Sequence, residues 1–173
     1  NQPKYINSPE TPIYHKSDVL YGMFQAKKAI RDLDNCFLVE GYTDVISMHL
    51  SGIENVVSSS GTSLTDGQIK LIKRFTNQVT VLYDGDAAGI KASIRGIDLL
   101  LEGGLNVKAV VFPDGDDPDS YSRKVGSQAF QEYLKENSRD FIGFKIGLYQ
   151  EEFARDPIRK AEVIREIVQS IGK

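Results

Sequence analysis

The chain has 173 residues, 24 Asp and Glu against 21 Lys and Arg, and a net charge of −3, a length that suits one compact domain with a small appendage. Its hydrophobic content of 40% is too high for a disordered chain, no apolar run approaches the ~20 residues of a membrane span, and no signal-peptide pattern opens it. The single Cys36 excludes an internal disulfide and a multi-cysteine zinc site, so the reducing cytoplasm is the expected compartment, with no membrane partner, and the absent initial Met suggests an excised fragment.

In chain order, residues 1–16 hold Pro3, Pro9 and Pro12 among polar residues and read as irregular. Val19, Leu20, Met23, Phe24 and Ile30 recur at helical spacing, which predicts a helix from about Asp18 to Ile30. The run Cys36-Phe37-Leu38-Val39 has the length and composition of a strand. Residues 43–50 read as a helix with Val45, Ile46 and Leu50 on one face and Gly52 as its stop. A second strand covers Asn55 to Val57, and Thr65 is placed to cap a helix containing Ile69, Leu71, Ile72 and Phe75. A third strand spans Val79 to Tyr83. A helix from about Ala87 to Leu101 follows, closed by Gly103-Gly104, and then a fourth strand from Val107 to Phe112. Past Pro118 the strand signal stops, and residues 127–136, 139–153 and 157–171 read as helices, with Asp156-Pro157 opening the last. The strand runs are nearly continuous rather than alternating, as in strands covered on both faces. The expected fold class is therefore α/β, a mainly parallel sheet flanked by helices. The expected organisation is a basic irregular segment plus helix over 1–33, the sheet over 34–126 and a helical subdomain over 127–173.

The net charge hides an asymmetry. Residues 1–31 carry Lys4, Lys16, Lys27, Lys28 and Arg31 against Glu10 and Asp18, whereas residues 84–119 carry eight acidic residues against Lys91, Arg95 and Lys108. A mildly acidic chain of this kind can still present a basic segment to a polyanion. The acidic residues sit at strand ends. Glu40 closes the first strand, with Asp44 one helical turn beyond; Asp84 and Asp86 close the third; Asp114, Asp116, Asp117 and Asp119 follow the fourth. In a parallel sheet all carboxyl ends share one edge, where such folds bind ligands. Carboxylates gathered there repel one another unless a cation lies between them. All-oxygen donors indicate Mg²⁺ or Mn²⁺ rather than zinc, and two such ions can activate a hydroxyl and neutralise a leaving oxygen in phosphoryl chemistry. The same residue types are ordinary helix caps and turn formers, which suffices for any one cluster; three clusters at strand ends favour a metal site.

Other motifs fail. Asp84-x-Asp86 begins like a calcium loop, but its fifth position is Ala88 and its twelfth Arg95. There is no Walker A cradle and no dinucleotide fingerprint, and with only His15 and His49 a serine triad is not expected. His49 reads as a packing or surface residue, and Cys36, in an apolar strand, as core.

A strand ending in Glu-Gly, followed by a strand ending in Asp-x-Asp, resembles the Toprim arrangement, and the match extends further. Leu38-Val39-Glu40-Gly41-Tyr42-Thr43-Asp44-Val45 is similar to the first Toprim motif of bacterial DNA primases of the DnaG type. Ser59 to Thr65 resembles the family turn after the second strand, Tyr83 to Gly89 the second acidic motif, and Pro113 to Asp119 the third. Upstream, Pro3 to Pro12 followed by His15-Lys16 resembles the basic segment that precedes the module. The resemblance covers most of residues 3–126, and the helices after 127 match only in a general way. It implies a Toprim-like fold and a DNA-directed RNA polymerase that makes short RNA primers on a single-stranded DNA template from ribonucleoside triphosphates by two-metal nucleotidyl transfer. By position, Glu40, Asp84 and Asp86 would be catalytic and hold Mg²⁺, with Mn²⁺ able to substitute. Asp44, Asp117 and Asp119 would complete the acidic site, and Lys4, Tyr5, Asn7 and Lys16 would face nucleotide or nucleic-acid phosphates. The resemblance further implies a zinc-binding domain, the front of the polymerase core and a helicase-binding domain that this chain lacks. No zinc is therefore expected here, the replicative helicase is a partner only through a missing part, and the isolated chain is expected to prime weakly or not at all.

Rivals come from other classes. A haloacid-dehalogenase phosphatase wants Thr or Val two residues after its second Asp, where Ala88 stands. A Toprim nuclease shares the acidic site but not the Lys4–Lys16 segment. A receiver-like or acidic interaction module leaves Asp86 and the 114–119 cluster without a role.

Overall fold

A computed structural model describes residues 8–60, 64–84, 96–113 and 115–147, together with the helical positions 165 and 168. The sequence reading over residues 1–7, 61–63, 85–95 and 157–171 otherwise falls outside the described residues.

The first predicted helix is displaced. Lys16–Asp18 forms one 3₁₀ turn, and Tyr21 then runs antiparallel to Ser58, each N–H donating to the other's carbonyl at 3.0 and 3.1 Å. The helix itself, α1, is Met23–Leu33. Gly22 sets its start: φ is +82°, and a Cβ there would lie 3.0 Å from Val45 Cγ1 and 3.1 Å from the Val56 carbonyl oxygen. Leu20 is buried as extended chain, so its apolar signal is not a helical one. Asp34, in the left-handed region at φ 45°, ends α1 by returning its N–H to the Arg31 and Ile30 carbonyls.

The next elements follow the prediction to within a residue or two: β1 Cys36–Val39, α2 Tyr42–Leu50, β2 Val56–Ser58, α3 Asp66–Lys73, β3 Gln78–Tyr83 and β4 Asn106–Val111. Thr65 caps α3 as expected, its hydroxyl accepting from the Gln68 N–H at 3.2 Å. Residues 96–102 are helical, within the helix expected before Gly103.

Two differences follow β4. The helix α4, Pro118–Val125, stands where only an acidic motif was read. Asp117 caps it and Pro118 occupies its first turn, a helix-start pattern hidden by the density of carboxylates. After α5, Ser127–Asn137, residues expected to open a helix at 139 instead form β5, Arg139–Asp140, antiparallel to β4, and helix resumes over 141–147. The exposed edge of β4 offers unpaired backbone groups that β5 satisfies.

The sheet order is β2-β1-β3-β4-β5, with the first four strands parallel. Alternate residues feed two cores. Cys36, Leu38, Val57, Val79 and Val81 pack under α1, α3 and residues 96–102 through Ala26, Ile30, Ile72, Ile97 and Leu100. Val39, Val56, Leu82, Val110 and Phe112 pack under α2 and α5 through Val45, Met48, Phe130 and Leu134. Burial on both faces is why the strand runs carry no polar alternation. The chain leaves β1 towards one face and β3 towards the other, so a crevice opens between these neighbours at their carboxyl ends, the usual binding place in such a sheet. Among the described residues no helix is long and apolar enough to cross a membrane.

Candidate active site at the carboxyl edge of the sheet

Glu40 is the residue after β1 and Asp84 the residue after β3. The two strands pair in parallel, Leu38 opposite Val81, so the chain positions of Glu40 and Asp84 fall within one residue of each other in register at the carboxyl ends of strands about 4.8 Å apart. Glu40 is exposed and Asp84 half-buried. Tyr83, just before Asp84, is buried and stacks on Phe144 with centroids 5.9 Å apart, which anchors the end of β3.

Asp44, Asp117 and Asp119 have structural engagements. Asp44 is 6% exposed, and its Oδ2 accepts the Gly41 N–H at 3.0 Å, fixing the turn from Glu40 into α2. Asp117 Oδ1 accepts the Ser120 N–H at 2.7 Å as the N-cap of α4, and Ser120 Oγ accepts the Asp117 N–H at 2.9 Å. Asp119 accepts the Ser47 hydroxyl with Oδ1 and pairs with Arg123 through Oδ2. Asp116, in the same run, pairs with Lys124 at 3.1 Å. Two of the carboxylates after β4, Asp116 and Asp119, are thus paired with cations of their own helix. Among the described residues no three His, Cys, Asp or Glu side chains form a metal-holding group. Asp86, the third expected carboxylate, and Asp114 lie outside the described residues, as do Lys4, Tyr5 and Asn7. Glu40 and Asp84 suit a hard cation by donor chemistry: two oxygen ligands on adjacent strand ends, with no soft or imidazole donor required.

Lys16 reaches the same edge by docking of the N-terminal segment. Gln68, fully buried in the first turn of α3, donates Nε2 to the Val19 carbonyl at 2.9 Å and the Lys16 carbonyl at 3.3 Å, and accepts the Thr65 N–H at 3.2 Å. The Thr65 hydroxyl donates to the Ser17 carbonyl. Glu10 accepts the Lys16 N–H at 2.9 Å. Since α3 starts beyond the carboxyl end of β2, these contacts hold Lys16 on the edge that carries Glu40 and Asp84. Gln68 and Ser47 were not read as site residues. The capping spacing Thr65-x-x-Gln68 was the visible signal for the first; nothing in the sequence signals the contact of Ser47 with Asp119, 72 positions away.

Residues 37–122 match the family described as Toprim-like, and residues 1–27 match the N-terminal domain of the DNA primase catalytic core. The DNA primase of Staphylococcus aureus (strain COL) is 39% identical over 171 residues, which cover 99% of this chain and 28% of that protein. The chain therefore spans little more than a quarter of that relative. Among solved structures, the Aquifex aeolicus primase (zinc binding and RNA polymerase domains) aligns with a TM-score of 0.85 at 36% identity, covering 98% of this chain and 41% of that one. A DnaG primase catalytic domain bound to ssDNA aligns with a TM-score of 0.83 at 34% identity, covering 99% of this chain and 56% of that one.

Proposed function

This chain belongs to the bacterial DNA primases of the DnaG type, and on that premise we propose that it is the Toprim-bearing part of a polymerase that lays short RNA primers on single-stranded DNA. The reaction is nucleotidyl transfer: a primer 3′-hydroxyl loses its proton, attacks the α-phosphate of a ribonucleoside triphosphate and releases pyrophosphate. Glu40 and Asp84 would hold Mg²⁺ or Mn²⁺, with Asp86 as the third ligand. Such a cation supplies Lewis acidity towards the hydroxyl and charge to offset that of the polyphosphate. The chain's own residues position the reactants. Lys16 would offer its ammonium to phosphate oxygens as a point charge, Asp44 keeps Glu40 at the strand end by holding the Gly41 N–H, and Lys4, Tyr5 and Asn7 would contribute further phosphate contacts. Asp117 and Asp119 would act through α4, by shaping the rim of the crevice.

The observation that carries this reading is that Glu40 and Asp84 directly follow two adjacent parallel strands, with Lys16 docked on the same edge. Its test is Mn²⁺ binding by the chain, followed by the electron paramagnetic resonance of free Mn²⁺. Glu40→Gln and Asp84→Asn should each weaken binding by about tenfold or more, the loss of one charged oxygen ligand, with unchanged circular dichroism. In the longer protein the same substitutions should abolish template-dependent priming. Near-wild-type priming by either variant would refute the metal assignment, and Mn²⁺-dependent cleavage of DNA without priming would favour the Toprim nuclease. The 173-residue chain alone should prime weakly or not at all.

A further inference from the structure

Away from the carboxylates, α1 and α3 lie side by side on one face of the sheet, both burying their inner sides in the same core. Their C-terminal ends are tied together: the Thr76 hydroxyl donates to Asp34 Oδ1 at 2.7 Å, and the Arg31 guanidinium sits over the Phe75 ring, 5.9 Å from its centroid. With Met23, Ala26 and Ile30 facing inward, helical geometry puts Phe24, Lys27 and Arg31 on the flank of α1 that looks towards α3. With Gln68, Ile69 and Ile72 facing inward, Lys70 and Arg74 stand on the outer side of α3 and its C-cap. The exposed face of the helix pair therefore carries four cations, Lys27 and Arg31 next to the seam and Lys70 and Arg74 on the solvent side of α3.

None of these four is in an ion pair among the described residues, whereas neighbouring Lys28 is paired with Asp32 at 2.9 Å. In a chain of net charge −3 this is a concentrated basic surface. It also carries an aromatic ring that burial does not explain: Phe24 is 77% exposed, with the Lys27 ammonium 4.2 Å from its centroid. Cations one helical turn apart, about 5.4 Å, beside an open aromatic face are the two elements of a single-strand track, charge for the backbone and a ring for a base. The seam begins at the helix starts, on the edge that carries Lys16, Glu40 and Asp84, and runs to the opposite edge of the sheet.

We propose that the exposed face of the α1–α3 pair along this seam, through Lys27, Arg31, Lys70, Arg74 and Phe24, binds single-stranded DNA continuing from the active edge. The inference rests on the primase reading, which supplies the partner, and adds a surface outside the catalytic crevice. Charge complementarity selects a polyanion, and the exposed ring selects a strand with open bases over a duplex.

The test is fluorescence anisotropy of a labelled oligo(dT) 20-mer with the 173-residue chain over a series of NaCl concentrations. Lys27→Ala/Arg31→Ala and Lys70→Ala/Arg74→Ala should each weaken binding about tenfold at low salt and flatten the slope of log K against log salt by about 1.4, two contacts at ~0.7 each. Phe24→Ala should weaken binding with the slope unchanged, and should not affect a blunt duplex of equal length. Lys27→Arg/Arg31→Lys should restore the wild-type slope. Lys108→Ala/Lys135→Ala, on the other face of the sheet, should bind as wild type, and thermal unfolding should be the same for all variants. Wild-type affinity and slope in both seam variants would overturn the proposal, as would an equal loss from the Lys108/Lys135 pair. If Lys16→Ala alone weakens binding, the seam is excluded and the primase reading stands. If the wild-type chain binds no oligonucleotide even at low salt, the seam proposal fails, while the primase reading is decided by Mn²⁺ binding and by priming in the longer protein.

Discussion

Asp117 illustrates how one residue type serves two purposes. It belongs to an acidic run that resembles a metal motif, yet its Oδ1 accepts the Ser120 N–H at 2.7 Å and starts α4. Asp117→Ala should therefore cost about 1 kcal/mol of stability, a typical N-cap loss, read in denaturant titration. Asp117→Asn, which keeps the accepting oxygen, should stay close to wild type. Stability unchanged in the Ala variant would remove the capping role. Cys36 is the other residue with a definite chemical expectation. Fully buried in β1, its thiol is pushed by desolvation from 9.0 to about 12. Below pH 9 the thiol is protonated both folded and unfolded and contributes no pH dependence. From pH 9 towards 12 the unfolded chain releases a proton that the folded chain keeps, so this group makes stability fall as pH rises, by about 1.4 kcal/mol per unit. Cys36→Ala should flatten the stability profile across that window relative to wild type. Parallel profiles would contradict it.

At the scale of elements, the N-terminal segment and α3 act as a unit. Gly67 sits where the two touch: a Cβ there would lie 2.1 Å from Asp18 Oδ1 and 2.7 Å from the Ser17 carbonyl oxygen. Gly67→Ala would normally favour a helix by up to about 1 kcal/mol, but here it should push the segment off α3. The expected result is faster proteolytic cleavage after Lys16 with the core transition nearly unchanged, and cleavage at the wild-type rate would show that the contact is soft. The link between α2 and α4 is of the same kind. Ser47 and Asp119 join helices that follow different strands, so α2 and α4 are tied to each other at the rim of the sheet.

At the scale of the molecule, the face of the sheet under α5 is organised around Phe112. Its ring stacks on Phe130 at 5.9 Å and on Tyr133 at 5.6 Å, and meets Tyr121 at 5.3 Å. The Tyr133 hydroxyl donates to the Val111 carbonyl at 2.7 Å, so the polar end of the cluster is satisfied. Phe112→Ala should cost about 3–5 kcal/mol and loosen α4 and α5 together, seen as a large shift of the denaturation midpoint and faster amide exchange in both helices. A loss under 1 kcal/mol would mean that the site collapses and refills.

Periodicity alone sufficed for four strands and for the helices between them as far as these are described, because doubly covered strands must be apolar along their whole length and crossover helices must bury one stripe. The acidic motifs were legible for the same reason, since each lies within a few residues of a strand that patterning places. The start of α1, the strand Arg139–Asp140 and the helix Pro118–Val125 were not legible. The first two are decided by a contact with a distant partner, Gly22 against Val45 and Val56 and β5 against the open edge of β4, whereas the local Asp117-Pro118 start of the third was masked by the acidic run around it. The sequence by itself determined which residues carry charge and which strand ends they follow. Only tertiary structure decided that Glu40 and Asp84 follow neighbouring strands, that Gln68 holds the Lys16 carbonyl at the same edge and that α1 and α3 lie on one face of the sheet, because proximity between residues tens of positions apart comes from packing and not from local propensity.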